Sequence, residues 1–117
     1  MRMWMVDPKI MCRQHLLGEH LEIHMFVGVI NNGKKIGGFV KKNLLEISSL
    51  LIRHDELVGE MVRRKYNHRS PLKEINLSQI DPLTEYYILI NTRESLNDLL
   101  GRCKKCKENY EKSNTTV

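Results

Sequence analysis

The sequence predicts an all-α fold, a compact single domain of three main helices with long irregular connections. Three observations carry this. Two long stretches, about residues 7–30 and 43–65, place apolar residues at helical spacing. A third, about 91–112, opens on Asn91 with Glu94 three residues later, the pattern of a capping box. The chain has 117 residues, a length for which one domain is the default. The domain is expected to span 1–112, with 113–117 as a polar, flexible tail.

Asp7-Pro8 reads as an N-cap followed by proline at the first helical position. The first helix then runs to about Ile30, where Asn31-Asn32-Gly33 stops it. Gly18 and Gly28 lie inside it, each costing about 1 kcal/mol against alanine, which suggests close helix crossings. Residues 34–42 form a basic, glycine-containing loop. The second helix covers about 43–65, with Ile47, Leu50, Leu51, His54, Val58 and Met61 on one stripe. Arg53, Glu56, Glu60, Arg63 and Arg64 fall on its other side. Residues 67–83 are irregular, broken by Ser70-Pro71 and Asp81-Pro82. Residues 85–90 are apolar and read as a short strand or a buried extended segment. The third helix runs from Asn91 to about Lys112.

Composition excludes several classes. With 41% apolar and 28% charged residues the chain is an ordinary globular one, not a collagen or a coiled coil. No apolar run approaches the ~18–20 residues of a membrane span. The opening MRMWMVDPK lacks the apolar core of a signal peptide. Three cysteines cannot form a fully paired framework, so a reducing, intracellular setting is expected. The net charge of +5 permits a polyanionic partner without requiring one.

The first helix is the most informative chemical surface. On a helical wheel Glu22 lies about 20° from His15, with Glu19 about 40° to the other side. These acids share a face with Met11, Phe26 and Ile30. Carboxylates on an apolar face either pair with cations or serve as acids and bases of raised pKa. His20 and His24 lie opposite, with Arg13. They are at i, i+4 and could share a metal, but they sit away from the acids and no HExxH order appears. His54 falls on the apolar stripe of the second helix, as a core histidine or one packed against Glu19 or Glu22. Cys103 and Cys106 form a single CxxC; a zinc site wants a second pair, and Cys12 is the one other thiol. No metal and no cofactor is expected.

Met1-Arg2-Met3-Trp4, then Gln14-His15-Leu16 with Glu19 and Glu22 behind it, resembles the phage-type pyrimidine-dimer DNA glycosylase (endonuclease V) family. Residues 56–67, ELVGEMVRRKYN, resemble that family's second helix and its exit, so the likeness covers about residues 1–70. The resemblance implies an all-α DNA repair enzyme, both glycosylase and abasic-site lyase. It implies that the N-terminal amine attacks deoxyribose C1′ and forms a Schiff base. By alignment the nucleophile falls on Met1 and an essential glutamate on Glu22. Arg2, Gln14, His15, Glu19 and His54 are the expected active-site neighbours. An α-amine ordinarily titrates at about 7.7–8.0, so a neutral, nucleophilic fraction exists near pH 7. Initiator methionine is retained before a residue as large as Arg2, which would leave Met1 itself as the mature terminus.

The family's arginines beside the catalytic glutamate are replaced here by Leu21 and Met25. Its aromatic C-terminal segment has Tyr110 as nearest counterpart. The substrate is thus a pyrimidine dimer or another damaged or modified base. The expected partner is double-stranded DNA carrying a damaged base or abasic site, bound by a monomer in the host cytoplasm if the protein is phage-encoded. Candidate DNA contacts are His20, His24, Lys34, Lys35, Lys41, Lys42, Arg63, Arg64 and Arg69. The alternative is a non-catalytic helical DNA-binding protein that retains the fold.

Overall fold

Asp7 and Pro8 do begin a helical turn, but only one. Asp7 accepts from the Lys9 amide at 3.0 Å and caps a 3-10 turn, Pro8–Ile10. Met11 and Cys12 are then extended, and the main helix starts afresh after Cys12. The single long helix predicted from Pro8 to Ile30 is therefore a turn, a break, and α1, Arg13–Asn31. This computed structural model describes residues 1–68 and 70–114, and among them there is no strand.

α1 ends as its sequence predicts. Gly33 adopts φ +71°, the left-handed conformation that closes a helix C-terminus and that a side chain would strain. Gly18 and Gly28 mark no crossings: a Cβ at either would meet nothing within 4 Å. The predicted basic loop contains a short helix, α2, Gly37–Lys41.

The second predicted helix starts later than expected. Asn43 has φ +64°, a 3-10 turn occupies Ile47–Ser49, and α3 spans Leu50–Arg63. Its buried side is Leu50, Arg53, His54, Leu57, Glu60 and Met61, while Leu51 is exposed. Arg53 and Glu60 were expected on the solvent side. Each is buried because it is paired. Arg53 grips Glu19 of α1 through Nε at 2.6 Å and Nη2 at 2.9 Å. It also donates to the Val6 carbonyl at 2.7 Å, tying α1, α3 and the N-terminal segment together. Glu60 accepts from both Arg63 and Arg64.

Residues 85–90 form no strand. Asp81 caps a π-type turn, Pro82–Tyr86, by accepting from the amides of Leu83 and Thr84. Of the residues that follow it, Tyr87 and Leu89 are exposed and Ile90 alone is buried. Its amide donates to Glu46 Oε1 at 2.7 Å, which takes the place of a strand partner. Asn91 caps the next helix by accepting from the Glu94 amide, as the capping signal predicts. The third predicted helix is broken at Cys103, whose backbone is extended (φ −123°, ψ 106°). It becomes α4, Thr92–Arg102, and α5, Lys104–Asn114. The fold is thus all-α and built on two long helices and a shorter pair.

α1 and α3 pack over a core of Leu16, Ile23, Phe26, Leu50, Leu57 and Met61. The first residues do not trail into solvent. Met3 and Trp4 are buried, and the Met3 amide donates to the Leu44 carbonyl at 2.7 Å. The Ser95 hydroxyl donates to the Trp4 carbonyl. This holds the chain terminus beside α1. No described helix is long and apolar enough to cross a membrane.

Candidate active site

Met1, Arg2, Trp4, Gln14, His15, Gly18, Glu19, Glu22, Leu44 and Arg102 line an open recess of about 530 Å³. The buried Met3-Trp4 pair sets the terminus on the α1 face that carries His15, Glu19 and Glu22. The Met1 amine lies 3.8 Å from Glu22 Oε1, an ion pair without a direct hydrogen bond. Both groups keep some access to solvent, at 18% and 28% exposure. An amine beside a carboxylate in a reachable recess can act as nucleophile and proton acceptor together.

The two acids of this face differ in role. Glu19 is fully buried, and Arg53 at 2% exposure occupies both its oxygens. That pairing is the answer to its burial. Glu22 has the terminal amine as its neighbour and keeps 28% of its side chain exposed. Arg2 turns toward α4. Its guanidinium donates to Asp98 and to Ser95 Oγ at 3.2 Å, and stacks on Trp4 with Cζ 3.7 Å from the ring centroid. Asp98 also pairs with Arg102 Nε at 2.8 Å, so a chain of opposite charges runs along one wall. The His15 ring meets Trp4 edge to face. Its Nδ1 faces Cys12 Sγ at 3.2 Å and Cys106 Sγ at 3.8 Å.

The recess thus gathers Met1, Arg2, Gln14, His15, Glu19 and Glu22, and leaves His54 elsewhere. His54 sits on the far side of α1 among His20, His24 and His68, with ring centroids 5.1–5.3 Å away. Burial first, then the imidazoles of His24, His54 and His68, push the His20 ring down to about 4. His24 is lowered for the same kinds of reason. Either this cluster or the Cys12, His15, Cys103, Cys106 cluster presents four donor groups within 4.8 Å of one another, enough to hold a metal. Burial pushes the Cys106 thiol up to about 12.

Lys34, Lys35, Lys41 and Lys42 are exposed, and the first three share a second depression beside α2. Arg63 is exposed while chelating Glu60. Arg64 is turned inward, donating to Glu60 and to the carbonyls of Pro8 and Met11. Arg69 lies outside the described residues. Leu21 and Met25 are exposed on α1. Tyr110 is half-buried against the core and lines a depression with Met5 and Ile10.

Sequence reasoning did not anticipate Trp4, Leu44 and Arg102 as lining residues. Trp4 stood in the N-terminal motif, but only as part of the family resemblance. Arg102 reaches the recess only because α4 packs against the terminus, which no local signal announces.

Residues 1–74 match the family model described as pyrimidine dimer DNA glycosylase. Comparison with curated proteins and with solved structures returns no match.

Proposed function

The chain belongs to the pyrimidine dimer DNA glycosylase family, and from this premise we propose that it cleaves both a damaged base and the DNA strand through its N-terminal amine. The observation that carries the reading is the Met1 amine held 3.8 Å from Glu22 in an open recess. The neutral amine attacks deoxyribose C1′, and the bond from C1′ to the base breaks with its electron pair leaving on the base. Glu22 stabilises the cationic sugar during departure. Ring opening then gives a protonated Schiff base between the amine nitrogen and C1′. Glu22 removes the C2′ proton, and β-elimination breaks the bond from C3′ to the phosphate oxygen. Hydrolysis of the imine returns the amine.

The surrounding residues support this chemistry. Arg2, Asp98 and Arg102 make a rigid polar wall, and Trp4 and Met3 fix the backbone that carries the nucleophile. The exposed Lys34, Lys35, Lys41 and Lys42 are proposed to hold phosphates. The duplex must kink or extrude a nucleotide to bring C1′ to the amine. Blocking the terminus tests the reading. Selective acetylation of the α-amine, or an uncleaved N-terminal extension, is expected to remove strand cleavage on dimer-containing and abasic duplexes while DNA is still bound. Undiminished cleavage by fully blocked protein would overturn it.

A further inference from the structure

We propose that Cys12, His15, Cys103 and Cys106 bind one Zn²⁺ ion as a closed, four-coordinate structural centre. The proposal is independent of the reaction assigned to the N-terminal amine. The ligands come as two pairs, each separated by two residues, one Cys-x-x-His and one Cys-x-x-Cys, about 90 positions apart. Both pairs are built alike. Cys12 and Cys103 are extended residues immediately ahead of α1 and α5. His15 and Cys106 lie in the first turn of the helix that follows. In each pair the amide of the second ligand points back at the sulfur of the first, at 3.5 Å for His15 and 3.4 Å for Cys106. A third amide, that of Cys12, donates to Cys106 Sγ at 3.2 Å. Backbone N–H groups aimed at sulfur are the partners a metal-bound thiolate calls for, because the sulfur keeps negative charge.

The donor distances agree with a tetrahedron. With Zn–S of about 2.3 Å and Zn–N of about 2.0–2.1 Å, its edges are about 3.8 Å between sulfurs and about 3.5 Å between sulfur and nitrogen. The structure places Cys12 Sγ 3.8 Å from Cys103 Sγ, and His15 Nδ1 3.2 Å and 3.8 Å from the Cys12 and Cys106 sulfurs. A disulfide would use two of these thiols at about 2.0 Å and leave the third thiol and the imidazole unexplained. With four protein ligands no position is open, so the ion's part is architectural. It fastens α5 to the start of α1 and fixes His15, which forms a wall of the recess and supports Trp4.

A different observation carries a second site. His20, His24, His54 and His68 also bring their donors within 4.8 Å. The Nε2 atoms of His20, His24 and His68 are buried and have no hydrogen-bond partner. Orphaned polar atoms are costly, and three converging ones call for a shared partner. Asp55 Oδ1 lies 3.0 Å from His54 Nδ1, the outer carboxylate that commonly orients a ligating imidazole. We infer that this cluster takes a divalent transition ion suited to imidazole, with Zn²⁺ as the probe.

Both are tested on the full chain, purified under reducing conditions, by elemental analysis after Zn²⁺ loading and by Co²⁺ substitution. Two equivalents of metal are expected, with thiolate-to-cobalt charge-transfer absorption from the first site alone. Cys106→Ser should lose one equivalent and that absorption. Should it fail to fold, Cys106→His should keep two equivalents with weakened charge transfer. His24→Gln/His68→Gln should lose one equivalent and leave the charge-transfer band unchanged. Folded, fully reduced wild-type protein without the band would overturn the zinc centre, as would a disulfide among these cysteines in the protein isolated from cells. Two equivalents retained by the double histidine variant, or a single equivalent in wild type with the full band, would overturn the second site.

Discussion

Glu22 and the Met1 amine are 3.8 Å apart, close enough for charge pairing while both stay partly open to solvent. Replacing Glu22 with Gln keeps the shape and removes the proposed base. Turnover on an abasic duplex is expected to fall by about 10²–10⁴-fold, with DNA affinity nearly unchanged. Glu19, one turn away, should behave differently. It is fully buried and bonded through both oxygens to Arg53. Arg53→Met strands that carboxylate, so a stability loss of about 3–5 kcal/mol is expected by denaturant unfolding. The wheel placed both acids on one face, and that much was legible in sequence. Their division of labour was not, because it depends on Arg53, 34 residues further along. The proposed metal ligands are dispersed in the same way. Cys12-x-x-His15 and Cys103-x-x-Cys106 are each plain in the sequence, but a search for two cysteine pairs passes over a histidine as candidate fourth ligand.

The helices were legible wherever a local signal decides them. Gly33 ended α1, and Asn91 opened α4, as the capping chemistry requires. The breaks were not. Cys12 and Cys103 interrupt predicted helices although neither residue is a helix breaker, and the reason lies in the approach of one to the other, not in their chain neighbours. The amphipathic stripe of α3 was rotated by two buried charged residues, which a hydrophobic pattern counts as solvent-facing. Glu60 shows what such an element gains. Hydrogen bonds from Arg63, working against burial, and from Arg64 hold its carboxyl below the usual carboxylate range. A lowered folded pKa means that the unfolded state binds the proton more readily. The stabilisation is therefore complete above the usual glutamate range and is lost as pH falls through the folded value. Thermal unfolding across acidic pH should show a steeper loss in wild type than in Glu60→Gln, which starts less stable and titrates less.

At the scale of the whole molecule, 19 Lys and Arg against 14 Asp and Glu give a net charge of +5 for contact with a polyanion. Arg64 and Arg53 are engaged inside the fold, while the lysines around α2 are exposed beside one depression and Lys9, Arg13, Arg63 and Lys105 beside another. DNA affinity should fall steeply with salt. Substituting alanine for Lys41 and Lys42 together should weaken binding to all sequences and reduce the slope of log K against log salt by about 0.9 for each phosphate left unneutralised. A slope equal to wild type would place the phosphate grip elsewhere. α4 and α5 lie beyond the matched residues 1–74, yet Arg102 lines the recess and Cys103 and Cys106 meet Cys12 beneath it. The C-terminal third thus supports the N-terminus that we propose performs the chemistry. The most direct test is borohydride trapping on an abasic duplex, followed by mass spectrometry of the adduct. The account predicts a covalent protein–DNA complex reduced onto the Met1 α-nitrogen, absent after N-terminal acetylation. An adduct on a lysine side chain, or DNA binding with no adduct, would contradict it.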